Sequence, residues 1–499
     1  MKKITTLINQ VFPSLTSIMV LVLLVFIPLY PKLPSLEIPG SYVRVRLEDF
    51  IVAVTGLIAL PLIWQKKETM FKNKIAQAVV VYWLVGLAST ISALLISRLV
   101  WPHLALLHYF RRIEYLSLFF LGFLAIRNKK DFKIFLATLL IIVGIVFLYA
   151  LGQKFSFLPA ISTMNEEFSK GTMIELDVWT RVSATFAGHY DLAIFITVVI
   201  PLILSTALAV KNKSKKVVLL LLFVACYYLL ILTASRVSFI AYLVSLSFLF
   251  IILNKKWWLP PIIALSLLGS FFSEDINQRF SATIKIEGPR VVQKMNRTIQ
   301  SLLPEREEKK IAQINPTPTP VIVEEGEEIK EEVSSGPTTG KITPKLTPEP
   351  TPTSEPSQQE MAEIGVERSG DIRFGVEWPR AIRHFKKSPL LGTGYSSITL
   401  ATDNGYLRAL GETGFLGFLS LLTIFLAQIP LYQSLLKKTK TNPQIRFFAA
   451  AMASGTLAIL TSMLFIDALE SSKVAFTYWL ILGLFVGRVN LEKKETGHE

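Results

Sequence analysis

The stretch VVLLLLFVACYYLLILTASRVSFIAYLVSLSFLFIIL, residues 217–253, decides the fold class. It holds two apolar runs, 217–233 and 237–253, joined at a turn where Ser235 and Arg236 stand, and Arg236 is its single charge. Each run approaches the roughly 17–25 residues that a helix needs to cross the hydrocarbon core of a bilayer. Helices satisfy their own backbone groups in lipid, so two such runs with almost no connection read as a helical hairpin. An arginine at its tip is poorly solvated, and a negatively charged partner would offset that desolvation.

The same pattern extends outward in both directions. The 499 residues are 51% hydrophobic, with a mean hydropathy of +0.48, too apolar for an ordinary soluble domain of this size. Twelve apolar runs are expected to cross the membrane, at 14–30, 49–64, 77–97, 111–126, 134–152, 191–210, 217–233, 237–253, 257–272, 413–432, 445–467 and 473–488. The fold class is therefore all-α, a polytopic helical membrane protein with a large extracytoplasmic loop between the ninth and tenth helices. The first run starts with basic residues but has no small-residue cleavage site before Pro31, so it reads as a retained helix.

A net charge of +15 would indicate nucleic acid if the basic residues formed one patch. They do not, and no nucleic-acid partner is expected. Lys2 and Lys3, then Lys66, Lys67, Lys72 and Lys74, then Arg127, Lys129, Lys130 and Lys133, then Lys211, Lys213, Lys215 and Lys216 fall on every second connection. Lys255 and Lys256, then Lys437, Lys438, Lys440 and Arg446, then Arg488, Lys493 and Lys494 continue the alternation. Cytoplasmic loops carry this excess, which predicts a multi-pass protein of the cytoplasmic membrane with both termini inside. Cys226, the one cysteine, lies in a span, which leaves no internal disulfide and no cysteine-based metal site.

By this reading residues 1–273 carry helices one to nine, 274–303 open the external loop, and 304–364 form an insert rich in Pro, Thr, Glu and Ser. Such an insert cannot bury enough apolar surface to offset chain entropy and is expected to be disordered, either a tether or a Thr-rich glycan acceptor. Residues 365–403 regain Phe374, Trp378, Phe385 and Tyr395 and are expected to fold as a small cap, helical up to Lys387 and turning at Pro389. Residues 404–499 hold helices ten to twelve and a cytoplasmic tail.

The most polar transition into the membrane is Arg373 to Leu419, RFGVEWPRAIRHFKKSPLLGTGYSSITLATDNGYLRALGETGFLGFL. Six glycines, Gly392, Gly394, Gly405, Gly411, Gly414 and Gly417, crowd it beside Asp403, Asn404, Arg408 and Glu412, which suits close backbone packing next to a polar pocket. A helix beginning near Thr402 would align Asn404, Arg408 and Glu412 on one face and Leu407, Leu410 and Gly414 on another. The competing reading is an Arg–Glu helix pair capped by Thr402 or Asp403. Further candidates stand at the outer ends of other spans. Arg181, His189 and Asp191 meet where the sixth begins, with lipid-headgroup contact for Arg181 and a helix cap for Asp191 as the alternative. Arg111, Arg112 and Glu114 open the fourth, where an anionic ligand competes with an interfacial belt of His108, Tyr109, Phe110 and Tyr115. Asp467 and Glu470 occupy a short outer connection and read as solvent-exposed.

Four separated pieces, RVSATFAGHYDLAIF at 181–195, TASRVSF at 233–239, Trp378 with PLLGTG at 389–394, and DNGYLRALGETGFLGF at 403–418, give the chain a resemblance to a known group. It resembles the O-antigen ligase and O-antigen polymerase superfamily, polytopic membrane glycosyltransferases that move lipid-linked glycans at the outer face of the cytoplasmic membrane. The resemblance covers most of 77–488 without the insert. It implies a polyprenyl diphosphate-linked glycan as donor, a glycan, lipid or protein as acceptor, and no metal or other cofactor. It also implies that Arg181 and Arg236 hold the diphosphate and that Glu412 matches the acidic residue of an E-x-G segment. Where the family has a His–Asn pair with the His as base, this chain has Asp403 with Asn404.

The residues themselves support a compatible chemistry. Fixed guanidinium groups in a low-dielectric pocket stabilise a departing diphosphate, a task that suits Arg181 and Arg236, with Arg373 or Arg408 as third contacts. Asp403 or His189 would take the proton of the attacking hydroxyl. A transporter or flippase of the same lipid-linked glycans is the rival class, although no internal repeat is evident and the charges gather at one boundary.

Overall fold

The computed structural model describes residues 11–31, 33–36, 45–97, 100–162, 174–176, 181–271, 281, 370–398, 401–437 and 442–495. The insert 304–364 and, apart from 281, the loop segment 274–303 lie outside the described residues.

Among the described residues the structure is all-α except for two short hairpins, Pro34–Leu36 with Val45–Arg46 and Ala160–Ser162 with Ile174–Leu176. The helices are α1 (Phe12–Leu29), α2 (Leu47–Phe71), α3 (Lys74–Ser92), α4 (Pro102–Ala125), α5 (Lys129–Lys154), α6 (His189–Ala209) and α7 (Lys213–Leu232). They continue with α8 (Arg236–Ile252), α9 (Leu259–Phe271), α10 (Trp378–Lys387), α11 (Gly405–Leu426), α12 (Ile429–Lys437), α13 (Pro443–Ser462) and α14 (Ser472–Glu495). Side chains with an early oxygen start several of them. Asn73, Asn128, Asn212, Ser235, Asn404 and Asn442 each accept from an N–H of the helix that follows, and Asn128 with Asp131 forms a reciprocal capping box.

Nine described helical stretches are long and apolar enough to cross a membrane, the architecture of a polytopic membrane protein. Three expected runs differ in character: α4 carries Arg111, Arg112 and Glu114, α8 has 17 residues, and α9 has 13 described residues.

At the centre lie α6 and α14, whose residues are almost all buried. The α14 helix packs along α4 with backbones in contact, because Gly122 faces Leu480 and Leu484, Gly483 faces Phe119, and Gly487 faces Phe123. Small residues allow this approach where lipid supplies no hydrophobic drive between helices. Tyr115 stands edge-on to Phe476 at 4.9 Å, so the two helices run parallel, both starting from the same end of the bundle. The opposite end carries the ion pairs Lys129–Glu495, at 2.5 Å, and Arg488–Glu492, at 2.8 Å.

Candidate functional site

The shared starting end of α4 and α14 is the polar end, and a broken helix shapes it. Gly414 has φ +67 inside α11, a left-handed conformation that a side chain would strain. The break leaves backbone groups that the loop after α10 satisfies. Phe415 N–H donates to the Pro389 carbonyl at 2.8 Å and Leu416 N–H to that of Leu390 at 3.1 Å, while Thr393 and Gly394 donate to the carbonyls of Gly411 and Glu412. Ser89 of α3 locks the pair by donating to Leu391 O at 2.6 Å. A Cβ on Gly392 would collide with the Glu412 backbone, and one on Gly414 with the Leu390 carbonyl. The glycine crowding in 389–417 thus has a cause: irregular backbone at this depth survives only where protein re-satisfies it.

The N-terminal half of α11 feeds a compact ion network. Asn404 is the N-cap and accepts from Tyr406 and Leu407, so the helix starts at Gly405 and neither Thr402 nor Asp403 caps it. Arg408 lies 3.4 Å from Glu412 and 3.0 Å from Asp467, and it reaches Glu470 at 3.8 Å. Arg112 of α4 donates to Glu470 and lies over the Tyr395 ring, 5.6 Å from its centroid. These groups, with Tyr82 and Trp479, line a cavity of about 50 Å³, room for only a few water molecules. Asp467 and Glu470, which the sequence reads as solvent-exposed, are instead internal partners, 11% and 29% exposed in their side chains. Burial opposes the Glu470 charge, but the Arg112 and Arg408 guanidiniums outweigh it and hold the carboxyl down to about 2.

Arg181 sits on a firmly anchored loop. Ala184 N–H donates to the Gln153 side chain, whose amide donates in turn to Ala184 O and Pro159 O. Thr185 donates to Pro28 O. Lys473, fully buried at the start of α14, donates to Pro28 O, Tyr30 O and Thr185 O, at 3.2, 2.6 and 2.7 Å. Val182 N–H reaches Leu232 O at 3.5 Å, which lays the loop against the turn that carries Arg236 at the first position of α8. From this frame the Arg181 guanidinium contacts His189 Nε2 at 2.5 Å. A guanidinium only donates, so Nε2 is the acceptor.

A second pair lies near the same tyrosine, Tyr190. Arg373 donates from Nε and Nη2 to Asp403 Oδ2 at 2.9 and 2.8 Å. Tyr190 lies within electrostatic range of Arg181, Arg373 and Asp403 together. Beside them is Glu377, buried, with Oε2 lacking a hydrogen-bond partner among the described residues. Burial and then the Asp403 carboxylate push the Glu377 carboxyl up to about 7, against Arg373. Asp403 is also raised by burial, opposed by Arg373.

The site residues read from the sequence therefore divide into two groups. Arg181 with His189 and Arg373 with Asp403 form two polar pairs that share Tyr190 as a neighbour, and Arg236 stands at the turn against which the Arg181 loop lies. Asn404, Arg408 and Glu412 belong to the cap and the ion network. Asp191, read as a possible helix cap, is buried in the first turn of α6, whose N-cap is Gly188. Arg111 and Arg112 point neither to headgroups nor to an open ligand site but pair with Asp49, at 3.2 Å, and with Glu470. Glu377, Asp467, Glu470 and Lys473 are additions that the structure makes. Among the described residues no group of three or more His, Cys, Asp and Glu side chains is placed to hold a metal ion. These pairs bring cations that can hold an anion close to carboxyls that can take a proton. No protein-family model matches the chain, and no curated protein matches its sequence.

Proposed function

We propose that this protein transfers or polymerises a glycan carried on a polyprenyl diphosphate, at the outer face of the cytoplasmic membrane. In this reading the chain crosses the membrane twelve times with both termini inside. The parallel packing of α4 with α14 supports it, since the fourth and twelfth spans would both enter from outside. The observation that carries the reading is the meeting of the Arg181–His189 pair with the Arg373–Asp403 pair around Tyr190.

The donor diphosphate lies against Arg181, with Arg236 at the adjoining turn as the second contact. An acceptor hydroxyl attacks the anomeric carbon, the bond from that carbon to the diphosphate oxygen breaks, and the electron pair leaves with the diphosphate. Guanidinium groups held before the reaction stabilise that charge without reorganising. The hydroxyl proton passes to Glu377, because Asp403 Oδ2 is already engaged twice by Arg373, whereas Glu377 Oε2 has no hydrogen-bond partner among the described residues and a carboxyl near 7 suits proton transfer at neutral pH. Asp403 then positions Arg373 rather than acting as the base.

The test is a reconstituted assay with a polyprenyl diphosphate-linked glycan and the Arg181→Ala and Arg236→Ala proteins. Each is expected to lose on the order of 100-fold or more in transfer, the usual effect of removing one charge-stabilising donor. Unchanged transfer in both variants would overturn the assignment.

A further inference from the structure

At the end of the bundle away from the Arg181–His189 pair, a large apolar groove opens between α5 and α7, floored by the end of α6 and the start of α13. Its volume is about 1660 Å³. The walls are apolar side chains left open on facing helices: Ile141 and Leu148 of α5 are 63% and 64% exposed, and Val218 and Leu221 of α7 are 63% and 64% exposed. A Cβ built on Gly144, midway along the α5 wall, would meet nothing within 4 Å. The rim carries Lys133, Lys211 and Lys215, and among the described residues no carboxylate lines the groove. It also gathers the starts of α5, α7 and α13, whose helix dipoles turn their positive ends to it. Apolar walls below a purely cationic rim match a molecule with hydrocarbon chains and an anionic head.

We infer that this groove seats an anionic phospholipid of the leaflet at the Lys129–Glu495 end, with its phosphate among Lys133, Lys211 and Lys215 and its acyl chains between α5 and α7. It is separate from the proposed donor site, whose diphosphate would lie at the opposite end, beside Arg181. The three lysines act as point charges at headgroup level, where each favours an anionic lipid, so charge selects the class and the walls supply the affinity. A second copy of the chain would need carboxylates to meet that rim. None stands among the groove residues that such a copy would present in return.

The full chain is exchanged into detergent micelles carrying either phosphatidylglycerol or phosphatidylcholine, and native mass spectrometry counts the lipid retained. The native chain is expected to retain phosphatidylglycerol on the order of 100-fold more than phosphatidylcholine, as three cations at headgroup level imply. The triple variant Lys133→Gln, Lys211→Gln, Lys215→Gln should bind both lipids equally. Gly144→Phe puts a ring into the open middle of the α5 wall and should retain less of both lipids while melting at the native temperature in lipid-free micelles. Gly144→Leu serves the same purpose if the larger ring prevents folding. Absence of a headgroup preference in the native chain, or native lipid retention in the Gly144 variants, would overturn the site. So would a native dimer that Gly144→Phe turns into a monomer, since the groove would then belong to a second copy.

Discussion

Asp467 Oδ2 accepts a hydrogen bond from the backbone N–H of Thr402 at 2.9 Å, which ties the connection between α13 and α14 to the residues that lead into α11. The same carboxylate takes the N–H of Asn404 at 3.2 Å and the Arg408 guanidinium at 3.0 Å. Asp467→Ala removes all three and leaves Arg408 buried beside one fewer carboxylate. A loss of about 3 kcal/mol is expected, the scale for breaking a buried pair on one side. Asp467→Asn keeps one acceptor oxygen, enough for one of the two backbone groups, which bond different oxygens of the carboxylate, and should lose less. Chemical unfolding of both proteins in detergent checks the order.

The break in α11 gives a backbone prediction. Gly414→Ala places a Cβ against the Leu390 carbonyl at a residue with φ +67, so strain and collision act together. A destabilisation of about 2 kcal/mol or more is expected. Gly56→Ala is the control, since nothing lies within 4 Å of its Cβ and α2 is regular there. A helix-interior alanine should stabilise by about 0.5–1 kcal/mol. Melting temperatures that moved the same way in both variants would contradict this account of the kink.

The sequence made the helices legible and left the pairing of their ends hidden. Period and length marked the apolar runs because lipid admits few alternatives, and the polar-to-apolar transition at 373–419 stood out by its glycines and charges. Partner choice is a matter of three dimensions. Asp467 and Glu470 looked solvent-exposed because a short connection gives no sign that Arg112, more than 350 residues earlier, lies opposite. A signal was available: they are carboxylates between two apolar runs, the same circumstance that singled out Arg236. Glu377 sat beside the noted Trp378 with no mark of its burial. Lys473 was inconspicuous because its partners are carbonyls, which sequence patterns do not reveal.

Lys473 supplies the third prediction. Its three carbonyl contacts join the end of α1 to the loop that carries Arg181, and the Phe186 ring lies 4.9 Å from its ammonium. Lys473→Met keeps the length but removes the donors, leaving Tyr30 O and Thr185 O without this partner. A loss of about 2–3 kcal/mol is expected for orphaned buried acceptors. Because the change loosens the Arg181 loop rather than removing the guanidinium, donor KM should rise more than kcat falls. Steady-state kinetics with the lipid-linked donor separate the two effects, and a pure kcat loss would argue against a positioning role.

Glu377 carries the last prediction, and its sign follows from the upward displacement of its carboxyl to about 7, caused by burial and by the nearby Asp403 carboxylate. The ordinary value for the unfolded chain lies near 4.3, so the folded state holds the proton more tightly between the two values. This group's contribution to stability is therefore fully present below about 4.3 and is lost as pH rises through about 7. Transfer runs the other way, because only the ionised carboxylate can take the acceptor proton: kcat should rise with pH through about 7 and then level off. Arg373 and Arg380 favour that ionisation, while Asp403 and Asp467 oppose it. Glu377→Gln should lose roughly 100-fold or more in kcat and, in what activity remains, the rising limb near neutrality. Asp403→Asn should instead keep the limb and shift it to lower pH, because one opposing carboxylate is gone. A pH–rate profile of the Gln variant that still turned near 7 would assign the proton transfer to another group, with His189 the next to test.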